Sequence, residues 1–390
     1  MTLRPRSASR LLILGAITAL IGCGDAGATL GPSATEDDTL TFFDGLASTR
    51  WNDRAITLLD QRPPANGSAA SSRILTYLSL AQYRAVLAAE SPAQASAQPS
   101  IAAAVSRASA TVLSSFFPLD APTIAQDLAV DLAHQEWAGA KNQDVGAGDA
   151  VGKQIGDGVV GQAATDLYLT VSVGAPPVGA GYWVSNGTPI VRSLWGTTPF
   201  FLTSPNQFRA PPPPSFGSSQ YLAALTQVRA ISDGRTASQL AIAQYWNTGF
   251  TASQVNRIAD ELIVAHRRTE HEATRILAYA NAATFDAQVA CWDSKLAYWF
   301  IRPPQADPQI ATAFAMPNHP SYPSAHSCIT GAMLTVLIDA FPSERSNLES
   351  LITEAGISRV YAGIHYQFDV DAGRAIGASV AALALKSTLK

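Results

Sequence analysis

Apolar residues recur at helix-like spacing through much of the chain. From about residue 72 the pattern places Ile74, Tyr77 and Leu78 on one face of a helix. Ser, Thr and Asp residues near the starts of the periodic segments supply N-caps. Further segments of this kind cover 101–117, 123–137 and, more weakly, 146–165. The pattern predicts a series of Ala-rich helices in the N-terminal half.

The character of the chain changes between about residues 170 and 217. Gly and Pro are dense there, and aromatic residues are interspersed. Connections of this length are uncommon unless they are functional or cover another part of the protein. We interpret the segment as an ordered excursion over the surface, pinned by aromatic side chains. These aromatics are Trp183, Trp195, Phe200 and Phe201.

Helical periodicity then resumes. One long periodic stretch runs from Ala252 through Thr284, and its extension to Arg302 stays open. After a Pro-rich break, an apolar helix covers about 324–341. Strand-like alternation never extends beyond a few residues. The pattern predicts an all-α fold, in which an N-terminal helical region (51–217) packs on a C-terminal bundle (218–390).

The first 22 residues have the layout of a secretory signal, with three arginines before an apolar stretch. The leader ends in Leu20-Ile21-Gly22-Cys23, which resembles the lipobox of bacterial lipoproteins; the alternative is an ordinary signal with a chance Cys. Residues 23–50 are typical of a tether. We expect an exported protein, either secreted or a periplasmic or outer-membrane-tethered lipoprotein, whose only membrane contact is a lipid on Cys23.

Composition narrows the function classes. Hydrophobic residues make up 47% of the chain and charged residues 14%, which argues against disorder. Without the leader, 23 basic and 30 acidic residues remain, and no Lys/Arg run is present. Such a mildly acidic body lacks the basic footprint of a nucleic-acid-binding protein. Nucleic acid is therefore not an expected partner.

Cys291 and Cys328 are the cysteines that remain after the leader. In an exported protein they could form one bridge or stay free, and the sequence leaves both alternatives open. There is no CxxC and no Cys/His zinc spacing, so zinc binding is not suggested.

Two further motifs carry little weight. Gly156, Gly158 and Gly161 form a GxGxxG string, but its flanks are helical, whereas a dinucleotide site needs a preceding strand. His266 and His271 lie in HRRTEHE, which is not HExxH, and we interpret it as a solvated helix face. No GxSxG motif of a serine hydrolase occurs.

The C-terminal third contains three segments suited to binding an anion. Lys295 and Arg302 are seven residues apart, so on one helix their side chains would converge, with Trp292 on the same side. The second segment opens the apolar helix at Ser324, where free first-turn N–H groups and a hydroxyl form an anion cradle beside His326.

The third segment pairs a histidine with a carboxylate. His365 is followed at i+4 by Asp369, and on a helix the carboxylate would accept from one imidazole nitrogen. The other nitrogen would then present its lone pair as a nucleophile or a metal ligand. Arg359 precedes this pair and adds a third cation.

Together the three segments resemble the three-part signature of the type 2 phosphatidic acid phosphatases (PAP2) and the vanadium-dependent haloperoxidases. The order, the internal spacings and the intervals match, and the signature covers about a quarter of the chain. The segments read Lys295-x6-Arg302-Pro303, Pro323-Ser324-Ala325-His326 and Ser358-Arg359-x5-His365-x3-Asp369.

The resemblance implies a role for each residue. His365 would bond vanadium in a haloperoxidase or attack phosphorus in a phosphatase, Asp369 would orient it, and His326 would carry protons. Ala325 stands where the family usually has Gly: the amide donor is kept, the added methyl restricts the backbone, and the sequence leaves open whether this methyl crowds the anion or points away from it. The residues implied to hold vanadate or phosphate are Lys295, Arg302, Ser324, the backbone of Ala325 and Arg359.

The motif does not separate the two chemistries, but its surroundings favour a haloperoxidase. His319 in HPSYPS is similar to the histidine that lines the halide region of vanadium bromoperoxidases, and Trp292 resembles the tryptophan of chloroperoxidases. We therefore expect vanadate as cofactor, and hydrogen peroxide and a halide, preferably bromide, as substrates. The alternative is an exported acid phosphatase that acts through a phosphohistidine and needs no vanadate. The oligomeric state stays open, with a homodimer as one alternative.

Overall fold

The structure is a computed structural model that describes most of the chain from residue 46 onward. The leader (1–22), Cys23, the tether up to residue 45 and Trp195 lie outside the described residues. All the described residues belong to one compact unit, Phe42–Lys390. The described ranges are 46–64, 67–137, 143–170, 173–190, 194 and 196–389.

Thirteen α-helices and no strand occur in these ranges, which confirms the all-α prediction. Among the same residues, no helix combines the length and the apolar character needed to cross a membrane. The helices are α1 Ala47–Gln61, α2 Gly67–Ala89, α3 Ile101–Phe116, α4 Ala121–Trp137, α5 Val145–Ala164, α6 Ser219–Gly234, α7 Ala237–Tyr245, α8 Thr251–Ala265, α9 Glu270–Tyr298, α10 Pro303–Ala306, α11 Ala325–Ala340, α12 Arg345–Tyr361 and α13 Gln367–Ala384.

Helix α9 is the centre of the core. Every residue from Ile276 to Leu296 is buried, as expected for a helix with neighbours on all sides. Helices α2, α11 and α13 pack directly against it. Helices α3 and α5 pack in turn against α2. The contact between α2 and α9 thus joins the N-terminal region to the C-terminal bundle.

Helix α1 begins earlier than the sequence pattern suggested. Its first residues, Ala47 to Arg50, fall within the span assigned to the tether (23–50). The reason is a tertiary cap: the Glu270 carboxylate accepts hydrogen bonds from the amides of Ala47 and Ser48, at 2.9 and 2.8 Å. A carboxylate that caps a helix from a distant segment leaves no local sequence signal.

The prediction of one long helix from Ala252 toward Arg302 is wrong in detail, because this segment forms two helices. Helix α8 ends at Ala265, and Arg267 has a positive φ of 49°. Thr269 then caps α9 in a capping box with Glu272. The HRRTEHE string therefore spans a junction between two helices and is not a single solvated face.

The predicted excursion between α5 and α6 is pinned by a buried carboxylate. Asp286 on α9 accepts hydrogen bonds from the amides of Phe200, Phe201 and Leu202, at 2.9, 2.6 and 2.9 Å. Further along, Arg209 forms a bidentate ion pair with Asp293, at 2.7 and 2.8 Å. The excursion is thus fastened along one side of the central helix.

The GxGxxG string lies inside α5, where its first glycine serves helix packing. Gly148, Gly152 and Gly156 form a face against α3, and a Cβ on Gly152 would lie 2.8 Å from the Cβ of Arg107. Gly158 faces open space. The i+4 spacing of Gly148, Gly152 and Gly156 lets the two helices approach closely, so the first glycine of the string has a packing role.

This packing predicts opposite effects for two substitutions on the same helix. Gly152→Ala should destabilise the protein by about 1–3 kcal/mol, because the added methyl overpacks the α3–α5 contact. Gly158→Ala should raise stability by roughly 0.5–1 kcal/mol, because alanine restricts the unfolded chain and fits an exposed helical site. Chemical unfolding of both variants checks this, and equal effects would contradict the assigned contact.

Candidate anion-binding site

The three sequence segments meet at one place, at the end of α9 and the start of α11. Lys295 lies in the last turn of α9, Ser324 is the N-cap of α11, and Arg359 lies in the last turn of α12. Arg302 precedes α10, and His365 lies between α12 and α13. Residues far apart in sequence thus line one buried site.

Lys295 is fully buried and is held by backbone carbonyls. Its Nζ donates hydrogen bonds to the carbonyl oxygens of Pro320 and Ser321, both at 2.8 Å. Burial, together with the nearby Arg302 charge, lowers the pKa of Lys295 to about 8. An ammonium has three N–H groups, so one remains available for a ligand.

Arg302 reaches the site by a different path from the one predicted. The expectation that it shares a helix with Lys295 is wrong, because α9 ends at Tyr298 and Trp299 takes a left-handed conformation with φ 47°. The chain then runs beside the excursion, where the Ile301 amide donates to the Gly181 carbonyl at 3.0 Å. This extended segment, and not a continuation of α9, brings the Arg302 guanidinium into the site.

The Arg302 guanidinium is also held by carbonyl oxygens. It donates from Nε to His319 at 2.7 Å and from Nη1 to Ile364 at 2.8 Å. Burial lowers the pKa of Arg302 to about 10. Both contacts fix the plane of the guanidinium, whose two Nη atoms lie beside the His365 and His319 rings.

Arg359 completes the cationic set. Its Nε donates to the Ser358 hydroxyl and its Nη2 to the Ala243 carbonyl, both at 2.9 Å. The guanidinium also lies 5.1 Å from the ring centroid of Phe314. Burial, with a smaller effect from Arg302, lowers the pKa of Arg359 to about 9.

The charges in the site do not balance. Lys295, Arg302 and Arg359 are buried, and the carboxylate that Lys295 and Arg302 face is Asp369. Among the described residues this leaves two positive charges in excess. Because buried charges need compensation, the arrangement suits an anion with two negative charges.

The start of helix α11 supplies the predicted cradle. The Ser324 hydroxyl accepts a hydrogen bond from the Ser327 amide at 3.4 Å and keeps its own proton to donate. Ala325 is the first helical residue and is half-buried. Its amide belongs to the first turn, where N–H groups have no partner inside the helix.

His326 is neutral and has a defined tautomer. Its Nε2 lies 3.0 Å from the Trp246 carbonyl oxygen, which only accepts, so Nε2 carries the hydrogen and Nδ1 has the lone pair. Burial and the Arg359 charge hold the pKa of His326 well below its usual value. The sequence did not indicate the Trp246 contact, because it joins segments eighty residues apart.

His365 and Asp369 form the predicted pair, but not within one helix. His365 precedes α13, while Asp369 lies in its first turn and accepts a hydrogen bond from the Tyr366 amide at 3.1 Å. The Asp369 Oδ2 lies 2.8 Å from the His365 Nδ1. Asp369 therefore caps the start of its own helix. This cap, and not a contact along one helix, brings its carboxylate to the His365 ring.

The pairing leaves the other ring nitrogen as a lone-pair donor. Nε2 of His365 faces the Arg302 Nη1 at 3.4 Å. Burial, with the Arg302 and Lys295 charges, holds the pKa of His365 well below its usual value, and burial raises the pKa of Asp369 to about 6. A neutral His365 whose Nε2 bears the lone pair can coordinate a metal or attack phosphorus.

The two residues assigned to a halide region lie side by side. The rings of Trp292 and His319 have centroids 5.3 Å apart, and the His319 Nδ1 lies 3.1 Å from the Arg302 Nη2. Trp292 is buried and His319 is half-buried. The pair thus borders the anion site at Arg302.

Cys291 and Cys328 are both buried free thiols in the described part of the chain. The Cys291 thiol donates to the Pro323 carbonyl at 3.9 Å. Of the two alternatives that the sequence left open, the structure has the unbridged one.

The C-terminal part of the chain, which holds most of this site, is similar to known proteins. Residues 274–390 match the family model of the PAP2 superfamily. A stretch of 58 residues is 45% identical to the non-specific acid phosphatases of Salmonella typhi and Salmonella typhimurium, and it covers 15% of this chain. The matched stretch spans only 23% of the length of those enzymes.

Solved structures extend the likeness to nearly the whole chain. A bacterial vanadium-dependent iodoperoxidase superposes with a TM-score of 0.73 at 20% identity, over 88% of this chain and 96% of that one. A holo-type bacterial vanadium-dependent chloroperoxidase gives 0.65 at 14% identity, over 84% and 93%. Residues 274–390 thus carry the PAP2-superfamily region that the motif predicted, and the solved structures show that the chain shares the fold of vanadium-dependent haloperoxidases.

The residues fit a vanadate ion. Vanadate is a tetrahedral oxyanion, and the site offers cationic and backbone N–H donors for its oxygens and one lone pair, on His365, for the metal. Within the described ranges there is no cluster of three or more His, Cys, Asp or Glu side chains that could hold a bare metal ion. The donor set therefore suits an oxyanion.

The lowered pKa of Lys295 predicts how anion binding depends on pH. Below about pH 8 the ammonium is charged and attracts the anion, and above that pH it loses its proton. Affinity should therefore fall above pH 8, approaching about tenfold per pH unit. Calorimetric titration with sulfate, whose own charge is constant from pH 7 to 9.5, measures this directly. Equal sulfate affinity across that range would contradict the assignment of Lys295.

Proposed function

We propose that the protein is a vanadate-dependent haloperoxidase, which oxidises halide with hydrogen peroxide to hypohalous acid. One observation carries the proposal: the likeness to haloperoxidase structures covers 88% of the chain, whereas the family model covers only 274–390. The helical region α1–α5 and the excursion are thus part of the shared architecture. At 20% identity this likeness shows the fold, and the chemistry is our inference.

Vanadate would be held through its oxygens and through one histidine. Lys295, Arg302 and Arg359 would offset its negative charge, and Ser324 and the amide of Ala325 would donate to its oxygens. When bound, vanadate acts as a Lewis acid that activates hydrogen peroxide for two-electron oxidation of a halide. The remaining steps depend on the protein's own groups.

His365 would supply the single protein bond to vanadium. Asp369 accepts the Nδ1 hydrogen, which keeps the lone pair on Nε2 and fixes the plane of the ring. Burial, together with the neighbouring cations, holds the pKa of His365 well below its usual value, so Nε2 keeps its lone pair near neutral pH.

His326 would move protons while hydrogen peroxide enters and water leaves. Its Nε2 hydrogen is engaged by the Trp246 carbonyl, so Nδ1 is the atom that accepts and returns a proton. The third N–H of Lys295, which its two carbonyl partners leave unused, would polarise the oxygen that the halide attacks.

The Trp292–His319 pair supports bromide and iodide as substrates. Arg302 lies beside His319, so an approaching halide would meet a cation next to a polarisable aromatic surface. Bromide and iodide give up electrons more easily than chloride. We propose that both are oxidised and that chloride is oxidised weakly.

A second function, hydrolysis of phosphomonoesters, is favoured by the identity to the Salmonella acid phosphatases over 58 residues. The same donors would hold a phosphoryl group, and the His365 Nε2 would attack phosphorus to form a phosphohistidine. This chemistry needs no vanadate, so the two functions predict opposite responses to that ion.

The leader supports a place for the enzyme outside the cytoplasm. Its lipobox-like end would leave the mature chain tethered through an acylated Cys23. Halide oxidation would then take place in the periplasm or at the outer membrane, or outside the cell if the chain is secreted.

The first functional prediction concerns His365. Full-length protein treated with orthovanadate should brominate a dye with hydrogen peroxide, and His365→Ala should abolish this activity and weaken vanadate retention. Asp369→Asn should cost about 10- to 100-fold, because it perturbs only the orientation of His365. His326→Ala should slow peroxide use more than it weakens vanadate binding.

His271→Ala is the matched control, because His271 pairs with Glu90 on the surface, at 2.7 Å. This variant should retain full activity. Full bromination activity in His365→Ala would refute the mechanism, and phosphatase activity of the vanadate-free protein without any bromination would favour the second function.

The second functional prediction concerns the halide. At equal concentrations of each halide, turnover with iodide and bromide should exceed turnover with chloride, since chloride is the hardest of the three to oxidise. Peroxide consumption measured with each halide checks this. Chloride turnover equal to bromide turnover would be inconsistent with the proposed preference.

A further inference from the structure

Ser321 is a buried serine that contacts both sides of the site. Its amide donates to the Phe300 carbonyl at 2.9 Å, and its own carbonyl accepts from the Lys295 Nζ at 2.8 Å. Its hydroxyl donates to the Asp369 Oδ2 at 2.5 Å and lies 3.5 Å from the His365 Nδ1.

The two oxygens of the Asp369 carboxylate are used very unequally. Oδ2 accepts from the Ser321 hydroxyl, the His365 Nδ1 and the Tyr366 amide. Oδ1 is buried and has no hydrogen-bond partner among the described residues. The torsion of this carboxylate therefore depends on the donors that converge on Oδ2.

We propose that Ser321 is a positioning residue that acts through Asp369 on His365. Its hydroxyl holds Oδ2 where it accepts the Nδ1 hydrogen, which keeps the His365 ring in one plane and aims Nε2 at the anion. Because the same residue holds Lys295 through its carbonyl, Ser321 sets the position of the histidine and the lysine together. The inference rests on the anion site of the proposed function and holds for either chemistry.

Alanine removes the hydroxyl alone. Ser321→Ala keeps the backbone, so the bonds to Phe300 and Lys295 remain. Asp369 then retains two donors on Oδ2, and its carboxylate can rotate toward the unused Oδ1. Loss of an outer partner of a metal-binding histidine typically weakens binding by about 10- to 100-fold.

The test measures orthovanadate affinity of the full-length protein by calorimetry. Ser321→Ala should bind orthovanadate about tenfold more weakly than wild type. In an Asp369→Asn background the same substitution should have little further effect, because a residue that acts through Asp369 cannot act when that carboxylate is gone. Ser321→Thr, which keeps a hydroxyl, should restore most of the affinity.

Two further measurements separate positioning from general stability. The ¹⁵N spectrum of the His365 ring should show a single Nδ1-protonated tautomer in wild type and a mixture in Ser321→Ala. Ser253→Ala is the matched control, since Ser253 is buried and its hydroxyl has no partner within the described ranges. It should leave both the affinity and the spectrum unchanged.

Wild-type affinity in Ser321→Ala would overturn the proposal, and so would the same tenfold loss in the Asp369→Asn background. Failure of both the Ala and Thr variants to fold would assign Ser321 a structural role instead. Because binding is the readout, coupling between Ser321 and Asp369 without any halide oxidation would leave this proposal intact and overturn only the proposed function.

Discussion

Burial of three cationic side chains in one helical core is the constraint on which the rest of the structure depends. Lys295, Arg302 and Arg359 lie out of contact with water, and backbone carbonyls are the partners that hold each of them in place. Such charges destabilise a fold unless an opposite charge joins them. The fold thus retains excess buried positive charge, which a bound anion would neutralise.

The packing of the helices around the site keeps these charges buried. Helix α9 is buried along most of its length because α2, α11 and α13 surround it, and this burial keeps the charged end of α9 dry. The excursion runs along the same helix and is fastened there by Asp286. A dry site strengthens every electrostatic contact with a bound oxyanion.

Much of this could be predicted from the sequence, because the signals are local. Helical periodicity gave the fold class, and motif spacing identified the residues that meet. The break before α9 also has a local sequence signal, the capping box of Thr269 and Glu272, which the prediction from periodicity did not use. The left-handed Trp299, a non-glycine residue, gave no such signal, so the path of Arg302 was missed.

Other features depend on contacts between distant segments. Asp369 caps its own helix, Ser321 reaches it across 48 residues, and Trp246 reaches His326 across 80. These contacts decide which nitrogen of each histidine carries the hydrogen. A single sequence has no pattern that pairs such residues, because only the packed core brings them together.

Anomalous diffraction at the vanadium edge, from crystals grown with orthovanadate, tests the central claim most directly. We expect one strong vanadium peak within bonding distance of the His365 Nε2, with the vanadate oxygens facing Lys295, Arg302 and Arg359. A vanadium peak elsewhere, or an anion site that takes up phosphate but no vanadium under the same conditions, would contradict it.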